Sequence, residues 1–344
     1  MNFISDNAYG AAPEILAAVA RANEGTAVSY GEDEWTARVV ARLSEIFERE
    51  VAAFPVATGT AANALAIATL VPPYGAVFCH EESHLVVDEC GAPEFFSGGA
   101  KLAPLPGEHG KISPETITSA LTRYQGGVHS PKPSAVSITQ ATERGTIYRP
   151  AEIARIGELA RQHGLSLHID GARFANALAY AGCSPAELTW KSGVDVLSFG
   201  ATKNGALCAE AVVFFKPESA RDFDYRRKRG GHLLSKMRFI SAQLEAYLED
   251  DRWIRQARRA NELAQRMAAG FRDLDGIEIV HPVEANEVFV RMPKRIVRKL
   301  RDAGAQFYEW IDDGSERTVT RLVLSFLTPE TDIDNFLIAL RSAL

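Results

Sequence analysis

The sequence predicts an α/β fold, with a mostly parallel sheet in a large domain and a small α+β domain at the C-terminus. The chain has 344 residues, 46% of them apolar, which suits more than one hydrophobic core. From about residue 34 to residue 215, short apolar runs alternate with helical patterns. Such alternation is typical of a parallel or mixed sheet covered by helices on both faces. After residue 270 the pattern changes to short strands and one terminal helix.

Seven apolar runs in the first part of the chain predict the strands of the large sheet. Ala211–Phe215 is apolar on both faces, as a buried parallel strand requires. Helical patterns lie between the runs, for example Glu34–Glu48 and Pro150–His163, the latter closed by Gly164. The seven predicted strands are Ala53–Val56, Ala76–His80, Lys101–Leu105, Ala135–Thr139, Ser166–Ile169, Val196–Phe199 and Ala211–Phe215.

The remainder of the chain predicts one or two long helices between Tyr225 and Gly270, followed by the small domain. We expect an N-terminal arm at residues 1–30, packed with the small domain, a large domain at 31–245 and a small domain at 246–344. The predicted elements of the small domain are strands near Ile277–Val280, Val288–Met292, Gln306–Trp310 and Arg321–Ser325, and a helix from Asp332.

Composition excludes several classes of function. A formal charge of −6 argues against a nucleic-acid-binding protein, which would need a basic surface. The N-terminus has no basic and apolar signal segment, and polar residues interrupt the most apolar stretch, Val51 to Pro73, so no membrane span is expected. The four cysteines lack the CxxC spacing of metal sites and predict buried free thiols. We therefore expect a cytoplasmic protein that binds a small molecule, with no metal.

A carboxylate and a lysine follow two consecutive predicted strands. Asp170 ends the run Leu167-His168-Ile169-Asp170, and the strand 196–199 leads into Ala201-Thr202-Lys203. Open α/β sheets bind their ligands at this edge. Asp170 could hold a pyridine nitrogen protonated, while a desolvated Lys203 could bind a carbonyl carbon covalently. The pair is what a pyridoxal cofactor needs, although an Asp-Gly turn and a solvated lysine are the plain alternatives.

Two further segments support a pyridoxal site. Thr58-Gly59-Thr60 lies at a strand-to-helix junction, where backbone amides and the helix dipole favour a phosphate. Gly59 allows close backbone approach and Thr60 adds a hydroxyl. His84 follows another predicted strand, where its imidazole could stack on the pyridine ring, although a surface position is the commoner fate of such a histidine.

These residues make the chain resemble the low-specificity L-threonine aldolases, which are aspartate-aminotransferase-like (fold type I) enzymes of pyridoxal 5'-phosphate. The likeness runs from Ser5-Asp6-Asn7 to Arg321 and is most specific at His168–Arg173 and Ser198–Gly205. It implies that Lys203 holds the cofactor covalently, that Asp170 partners the pyridine nitrogen and that His84 stacks on the ring. The residues that it implies for the phosphate are Gly59, Thr60 and Thr202.

The same resemblance implies residues for the substrate and for assembly. Ser5, Arg173 and Arg321 would bind the substrate carboxylate, and His129 would lie near its hydroxyl. The resemblance also implies three residues that would reach the cofactor or substrate from a neighbouring subunit: Tyr30, Lys228 and Arg238. It therefore implies at least a dimer, commonly a homotetramer built of two dimers.

The chain departs from the family at two places. Many members have Glu-Asn-Thr-His where this chain has Thr139-Gln140-Ala141-Thr142, and many have Gly-Gly-Gly-Met-Arg where it has an insertion between Gly230 and Arg238. Both changes concern the substrate pocket more than the cofactor.

The resemblance implies cleavage of L-threonine or L-allo-threonine to glycine and an aldehyde. The base for the β-hydroxyl is left open between His84, His129 and a water between them. Alternatives are another lyase on this fold, such as a phenylserine-type aldolase or a β-eliminating lyase, and, more distantly, a non-catalytic amino-acid sensor.

Overall fold

A computed structural model describes residues 1–312 and 314–344 of the chain. Its larger sheet has seven strands in the order β1-β7-β6-β5-β4-β2-β3. All seven predicted strands are present, with ends shifted by at most three residues. The strands are β1 (Ala52–Val56), β2 (Gly75–His80), β3 (Lys101–Leu105), β4 (Lys132–Thr139), β5 (Ser166–Gly171), β6 (Val196–Gly200) and β7 (Glu210–Phe214).

Strand direction in the large sheet determines where a site can form. Strands β3, β2, β4, β5 and β6 pair in parallel, so their carboxyl ends meet at one edge. Strand β7 is antiparallel to both β6 and β1, so the interpretation of Ala211–Phe215 as a parallel strand is wrong. The strand is apolar on both faces because it is buried along its whole length. The residues that follow β2, β4, β5 and β6 therefore share an edge, as the sequence predicts for Asp170 and Lys203.

Helices cover the large sheet and connect it to the small one. The 3.6-residue patterns give amphipathic helices such as α7, which begins at a proline and buries Ile153 and Ile156 against the sheet. The helices are α1 (Pro13–Ala22), α2 (Glu34–Ile46), α3 (Gly59–Leu70), α4 (His84–Val87), α5 (Ala92–Ser97), α6 (Pro114–Arg123), α7 (Pro150–Gln162), α8 (Phe174–Ala181), α9 (Phe223–Arg229), α10 (Arg238–Leu248), α11 (Arg252–Ala269), α12 (Lys294–Asp302) and α13 (Glu330–Ala343).

A second, antiparallel sheet forms the small C-terminal α+β domain that the sequence predicts. Its order is β10-β11-β9-β8, and α11, α12 and α13 pack against it over a separate core. Strand β11 begins four residues before its predicted start, because Arg317 to Thr320 pair with β9 along their full length. The strands are β8 (Glu278–Ile279), β9 (Glu287–Pro293), β10 (Tyr308–Ile311) and β11 (Arg317–Val323).

The structure corrects three further predictions made from the sequence. Residues 225–270 form three helices instead of one or two, because the chain breaks at Gly230-Gly231 and again at Asp250 and Asp251, which have positive φ. The arm contains helix α1, which packs on α10. Cys90 and Cys208 are exposed, so the expectation of buried thiols holds only in part.

The N-terminal arm joins the small sheet before it reaches the large one. Phe3 lies in the core of the small domain, and its amide donates to the carbonyl of Gln306. The chain then crosses toward the large sheet at Asp6. Among the described residues, no helix is both long and apolar enough to cross a membrane.

Candidate active site

A pocket of about 380 Å³ opens at the carboxyl ends of the parallel strands. It lies between the large sheet and the first residues of the arm, which contribute Asn7. Seven residues that were predicted to bind the cofactor line this pocket, and one of them, Arg173, was also predicted to bind the substrate. They are Gly59, Thr60, His84, Asp170, Arg173, Thr202 and Lys203.

One end of the pocket is built by the start of α3. Thr58 caps this helix, because its hydroxyl accepts the amide of Ala61 at 3.2 Å. A Cβ at Gly59 would meet no atom within 4 Å, so the backbone here borders open space. The first amides of a helix lack partners within the helix, which makes this end suited to a phosphate. The hydroxyl of Thr202, on the turn after β6, accepts the amide of Ala209 at 3.1 Å.

The floor of the pocket is a chain of hydrogen bonds that begins at Asp170. Its Oδ1 accepts the amide of Ala172 at 3.0 Å, and its Oδ2 accepts the side-chain amide of Asn63 at 2.8 Å. Asn63 also donates to Glu89 at 2.7 Å, and Glu89 lies 2.8 Å from Nδ1 of His84. The hydrogen bond to Glu89 raises the pKa of His84, while burial raises the pKa of Glu89.

Lys203 lies on a single turn, Thr202–Asn204, that follows β6 directly. The side chain of Asn204 anchors this turn by donating to the hydroxyl of Tyr247 and the carbonyl of Trp253, both at 2.8 Å. Gly205 ends the turn with φ +112°, a conformation that favours glycine. The backbone that presents Lys203 is therefore fixed by buried contacts on the α10 and α11 side.

Two carboxyl groups that the sequence analysis missed also line the pocket. Burial and the charge of Asp170 raise the pKa of Glu143 to about 7, against hydrogen bonds from the amide of His84 and the hydroxyl of Thr139. Burial also raises the pKa of Glu210 to about 7; its Oε2 accepts the amide of Ala201 at 3.0 Å. Glu210 is the first residue of β7 and Glu143 lies in the turn four residues after β4, so an acid close to a strand end is the sequence signal that could have found each of them.

Arg173 connects the pocket to an ion cluster made by four distant segments of the chain. Arg173 holds Asp6 through two hydrogen bonds, of 2.8 and 3.1 Å, and lies 3.5 Å from Glu287. Arg321, on β11, is 4.0 Å from Glu287 and covers the ring of Trp310 at 4.3 Å. Sequence reasoning predicted the two arginines but missed the two acids. An acid at the head of an apolar strand, as Glu287 is, was the available signal.

The positive and negative charges of this cluster are equal in number. Burial alone would raise the pKa of Asp6, but the charges of Arg173 and Lys203 hold it below its usual range. Burial lowers the pKa of Arg321, and the charge of Glu287 opposes that shift. Two buried guanidinium groups thus face two carboxylates, and a bound carboxylate would add a third acid to the set.

Ser5 lies beside this cluster without touching either arginine by a hydrogen bond. Its hydroxyl accepts the amide of Asn7 at 3.1 Å and donates to Asp6 at 3.4 Å. Asn286 also donates to Asp6, at 3.1 Å. The structure therefore places Ser5 where it orients the residue that holds Arg173.

The three residues predicted to serve a neighbouring subunit do not line the pocket of their own chain. The ammonium of Lys228 covers the ring of Tyr30 at 4.5 Å, and Arg238 donates to the carbonyl of Gly25 at 3.5 Å. Tyr30 and Lys228 are exposed. The prediction that these residues serve a neighbouring subunit stays a prediction.

The structure does not place His129 beside the pocket of its own chain. His129 is exposed in the turn Gly127–His129, which precedes β4. The pocket is formed at the carboxyl ends of the parallel strands, whereas residues before β4 lie at the amino ends. His129 therefore lies away from the pocket of its own chain, and its place near the substrate hydroxyl stays a prediction.

Comparison with known proteins shows the family. The family model of the beta-eliminating lyases matches residues 2–295. The chain belongs to the beta-eliminating lyase family. It is 48% identical over 315 residues to low-specificity L-threonine aldolases of Pseudomonas sp. (strain NCIMB 10558) and Pseudomonas aeruginosa, covering 92% of this chain and 91% of each relative.

A solved structure agrees with this assignment. The solved structure of a threonine aldolase from Leishmania major superposes on this chain with a TM-score of 0.94. The two sequences are 27% identical, and the superposition covers 99% of this chain and 98% of that one. The predictions of the fold class, of a resemblance to threonine aldolases and of an enzyme of the lyase class are confirmed.

Proposed function

We propose that this chain is a pyridoxal-phosphate-dependent aldolase that cleaves L-threonine, L-allo-threonine and related β-hydroxy-α-amino acids to glycine and an aldehyde. The observation that carries the proposal is that Lys203, Asp170 and the start of α3 line one pocket of about 380 Å³. The relatives that are 48% identical bear the name of that activity.

The residues present fit the cofactor at both of its polar ends. At one end, the open space beside Gly59 and the first amides of α3 suit a phosphate dianion. At the other, Asp170 is buried yet fixed by Asn63 and the amide of Ala172, so it can face a protonated ring nitrogen. Lys203, on the turn between them, would hold the cofactor covalently. When bound, pyridoxal phosphate supplies the sink for the electron pair of the broken Cα–Cβ bond.

The remaining residues bind the substrate and handle its protons. Arg173 and Arg321 present planar donor groups suited to a carboxylate, and Asp6 and Glu287 hold them in place beforehand. Because Arg321 belongs to the small domain, carboxylate binding would join the two domains. His84, kept in one orientation by Glu89, would cover the cofactor ring. A role for His129 would require a neighbouring subunit.

We also propose that the chain assembles into a homo-oligomer, a tetramer, and that the protein is cytoplasmic. The aromatic side chains of Phe95 and Tyr225 are 78% and 79% exposed, which favours burial against another subunit. All four cysteines are unpaired, as is usual in a reducing compartment.

We infer an arm at 1–30, a large domain at 31–245 and a small domain at 246–344. Helix α11 contacts both cores, because Trp253 and Ala257 pack in the core of the large sheet and Leu263 packs in that of the small one.

Product analysis tests the activity. The purified protein, supplied with pyridoxal phosphate, is incubated separately with L-threonine, L-allo-threonine, phenylserine and L-serine. The proposal expects glycine and acetaldehyde in equal amounts from the two threonine isomers. Keto acid and ammonia would mark a β-eliminating lyase instead, preferential cleavage of phenylserine would mark a phenylserine-type aldolase, and binding without products would favour a sensor.

A further inference from the structure

The carboxyl group of Glu143 is held by one oxygen and free at the other. Its Oε1 accepts the backbone amide of His84 at 2.8 Å and the hydroxyl of Thr139 at 2.9 Å. Its Oε2 is shielded from solvent and has no hydrogen-bond partner among the described residues. Glu143 nevertheless lines the pocket, together with His84 and Asp170. A buried acceptor without a donor is costly, so this geometry points to a bound group that donates a hydrogen bond there.

The chemistry of the substrate identifies that donor. In a β-hydroxy-α-amino acid, the carboxylate only accepts hydrogen bonds and belongs with Arg173 and Arg321, while the amino group is committed to the cofactor. The β-hydroxyl is the donor that remains. We propose that Glu143 is a catalytic residue whose Oε2 takes the proton of the substrate β-hydroxyl as the Cα–Cβ bond breaks. This inference rests on the proposed function and names the base that the function requires.

The histidines are poorer candidates for this base. Nδ1 of His84 is occupied by Glu89, and that bond raises the pKa of His84, a shift away from the neutral imidazole that a base requires. His129 lies at the other edge of the sheet. A carboxyl whose pKa is about 7 has a suitable affinity for the proton, because a general base works best when its pKa is near the working pH.

Burial is the main cause of the raised pKa of Glu143, and the groups around it shift that pKa in both directions. The carboxylate of Asp170 on β5 favours the protonated form, whereas the amide of His84 and the hydroxyl of Thr139 favour the charged form. The charge of the Arg173 guanidinium interacts favourably with the carboxylate of Glu143. Burial, and to a smaller extent the charge of Glu143, raises the pKa of two neighbouring groups, the thiol of Cys79 and the phenol of Tyr148.

The proposed step balances. The O–H bond of the hydroxyl breaks and an O–H bond forms at Oε2 of Glu143. The electron pair left on the β-oxygen becomes the second bond of the aldehyde carbonyl, and the pair of the Cα–Cβ bond passes to the glycine fragment. A proton then adds to Cα to complete glycine, and Glu143 releases its proton to solvent. The sum is one β-hydroxy amino acid converted to glycine and one aldehyde.

Glu143→Gln tests the inference, because glutamine keeps the shape of the side chain but cannot take the proton. The holoenzyme is assayed for threonine cleavage and, separately, for exchange of the Cα proton of glycine with deuterium, a reaction in the same pocket without a hydroxyl. We expect kcat for cleavage to fall about 10²–10⁴-fold, the usual loss for a general base, and glycine exchange to stay within about threefold. A parallel fall of both reactions, or unchanged cleavage, would overturn the inference alone. A wild-type enzyme that forms no aldehyde would overturn the proposed function and this inference together.

A second variant and a spectroscopic measurement guard against a merely structural effect. Thr139→Val removes a donor to the charged carboxyl, so the acidic limb of kcat/KM should move to higher pH; a limb that stays in place contradicts the role. Infrared difference spectra of the holoenzyme should show protonated carboxyl groups that titrate near neutral pH, because both Glu143 and Glu210 have a pKa of about 7. Glu143→Gln should remove one component of this signal, and the matched variant Glu210→Gln should remove the other. A signal that Glu143→Gln leaves unchanged would assign the titration to another group.

Discussion

The two ends of the pocket are built in different ways. The cofactor end takes its residues from consecutive strand ends and one helix start of the large sheet, so Asp170 and Lys203 are brought together by local topology. The carboxylate end joins Asp6 from the arm, Arg173 from the large sheet and Glu287 from the small one. The residues of the first end all belong to the large domain, whereas the second end requires both domains and the arm.

Replacing the cofactor lysine should give the largest effect. Lys203→Ala should lose both the visible absorbance of the bound cofactor and at least about three orders of magnitude in turnover, because no other group on that turn can bind the cofactor covalently. Lys191→Ala, at a half-exposed lysine paired with Glu48, is the control and should change neither. Turnover that survives in Lys203→Ala with an unchanged spectrum would rule out the assigned cofactor end.

Breaking the ion cluster should mainly cost stability. Asp6→Asn leaves Arg173 buried with less counter-charge, so the free energy of unfolding at pH 7 should fall by about 3–5 kcal/mol in urea titrations. The pKa of Asp6 is lowered in the folded state, so its contribution is complete above the unfolded value of about 4 and is lost as the pH falls through the folded value.

The comparison of Asp6→Asn with wild type should therefore be repeated at acid pH, where the two proteins should converge. Asp334→Asn, at an exposed ion pair with Arg266, is the control and should have far less effect at either pH. Equal losses in both variants would mean that the arm does not tie the domains together.

Removing the arginine of the small domain should separate substrate binding from catalysis. Arg321→Ala should raise KM for threonine about 10- to 100-fold and change kcat little, because the carboxylate is bound in the ground state and the transition state alike. Arg317→Ala, four residues earlier on the same strand, is the matched control. An unchanged KM would show that Arg321 does not bind the carboxylate.

The smallest expected effect concerns the cap of α3. Thr58→Ala removes the hydroxyl that accepts the amide of Ala61, and this should lower the free energy of unfolding by about 1 kcal/mol. Thr69→Ala, near the end of the same helix, serves as the control and should cost less. Weaker cofactor binding in Thr58→Ala, measured by equilibrium titration, would sharpen the assignment of this helix start to the phosphate.

The same contrast explains what the sequence could predict. Asp170 and Lys203 were predictable because each directly follows an apolar strand, and alternation along the chain determines the edge at which they meet. Helix α1 was missed although Pro13, Ile15 and Ala18 show the pattern of a helix start. The long helical region was predicted without its breaks, although Gly230-Gly231 marked one of them.

Other features required the folded chain. Nothing in the local sequence says that Asp6 will meet Arg173 across 167 positions, or that Glu287 will lie between two arginines. His129 was placed by resemblance alone, and only strand direction shows that it lies at the edge opposite the pocket of its own chain. Glu143 was not predicted, because it lies in the turn after β4 where the chain departs from its family, and its burial in the pocket is visible only in the folded chain.

The assignment of the cofactor to Lys203 is tested most directly by locating the covalent attachment. The protein is saturated with pyridoxal phosphate, reduced with borohydride, digested and mapped by mass spectrometry. The account predicts one pyridoxyl group per chain, on the peptide that contains Lys203. A label on a different lysine, or a protein that takes up no label, would contradict the cofactor site and the function proposed from it.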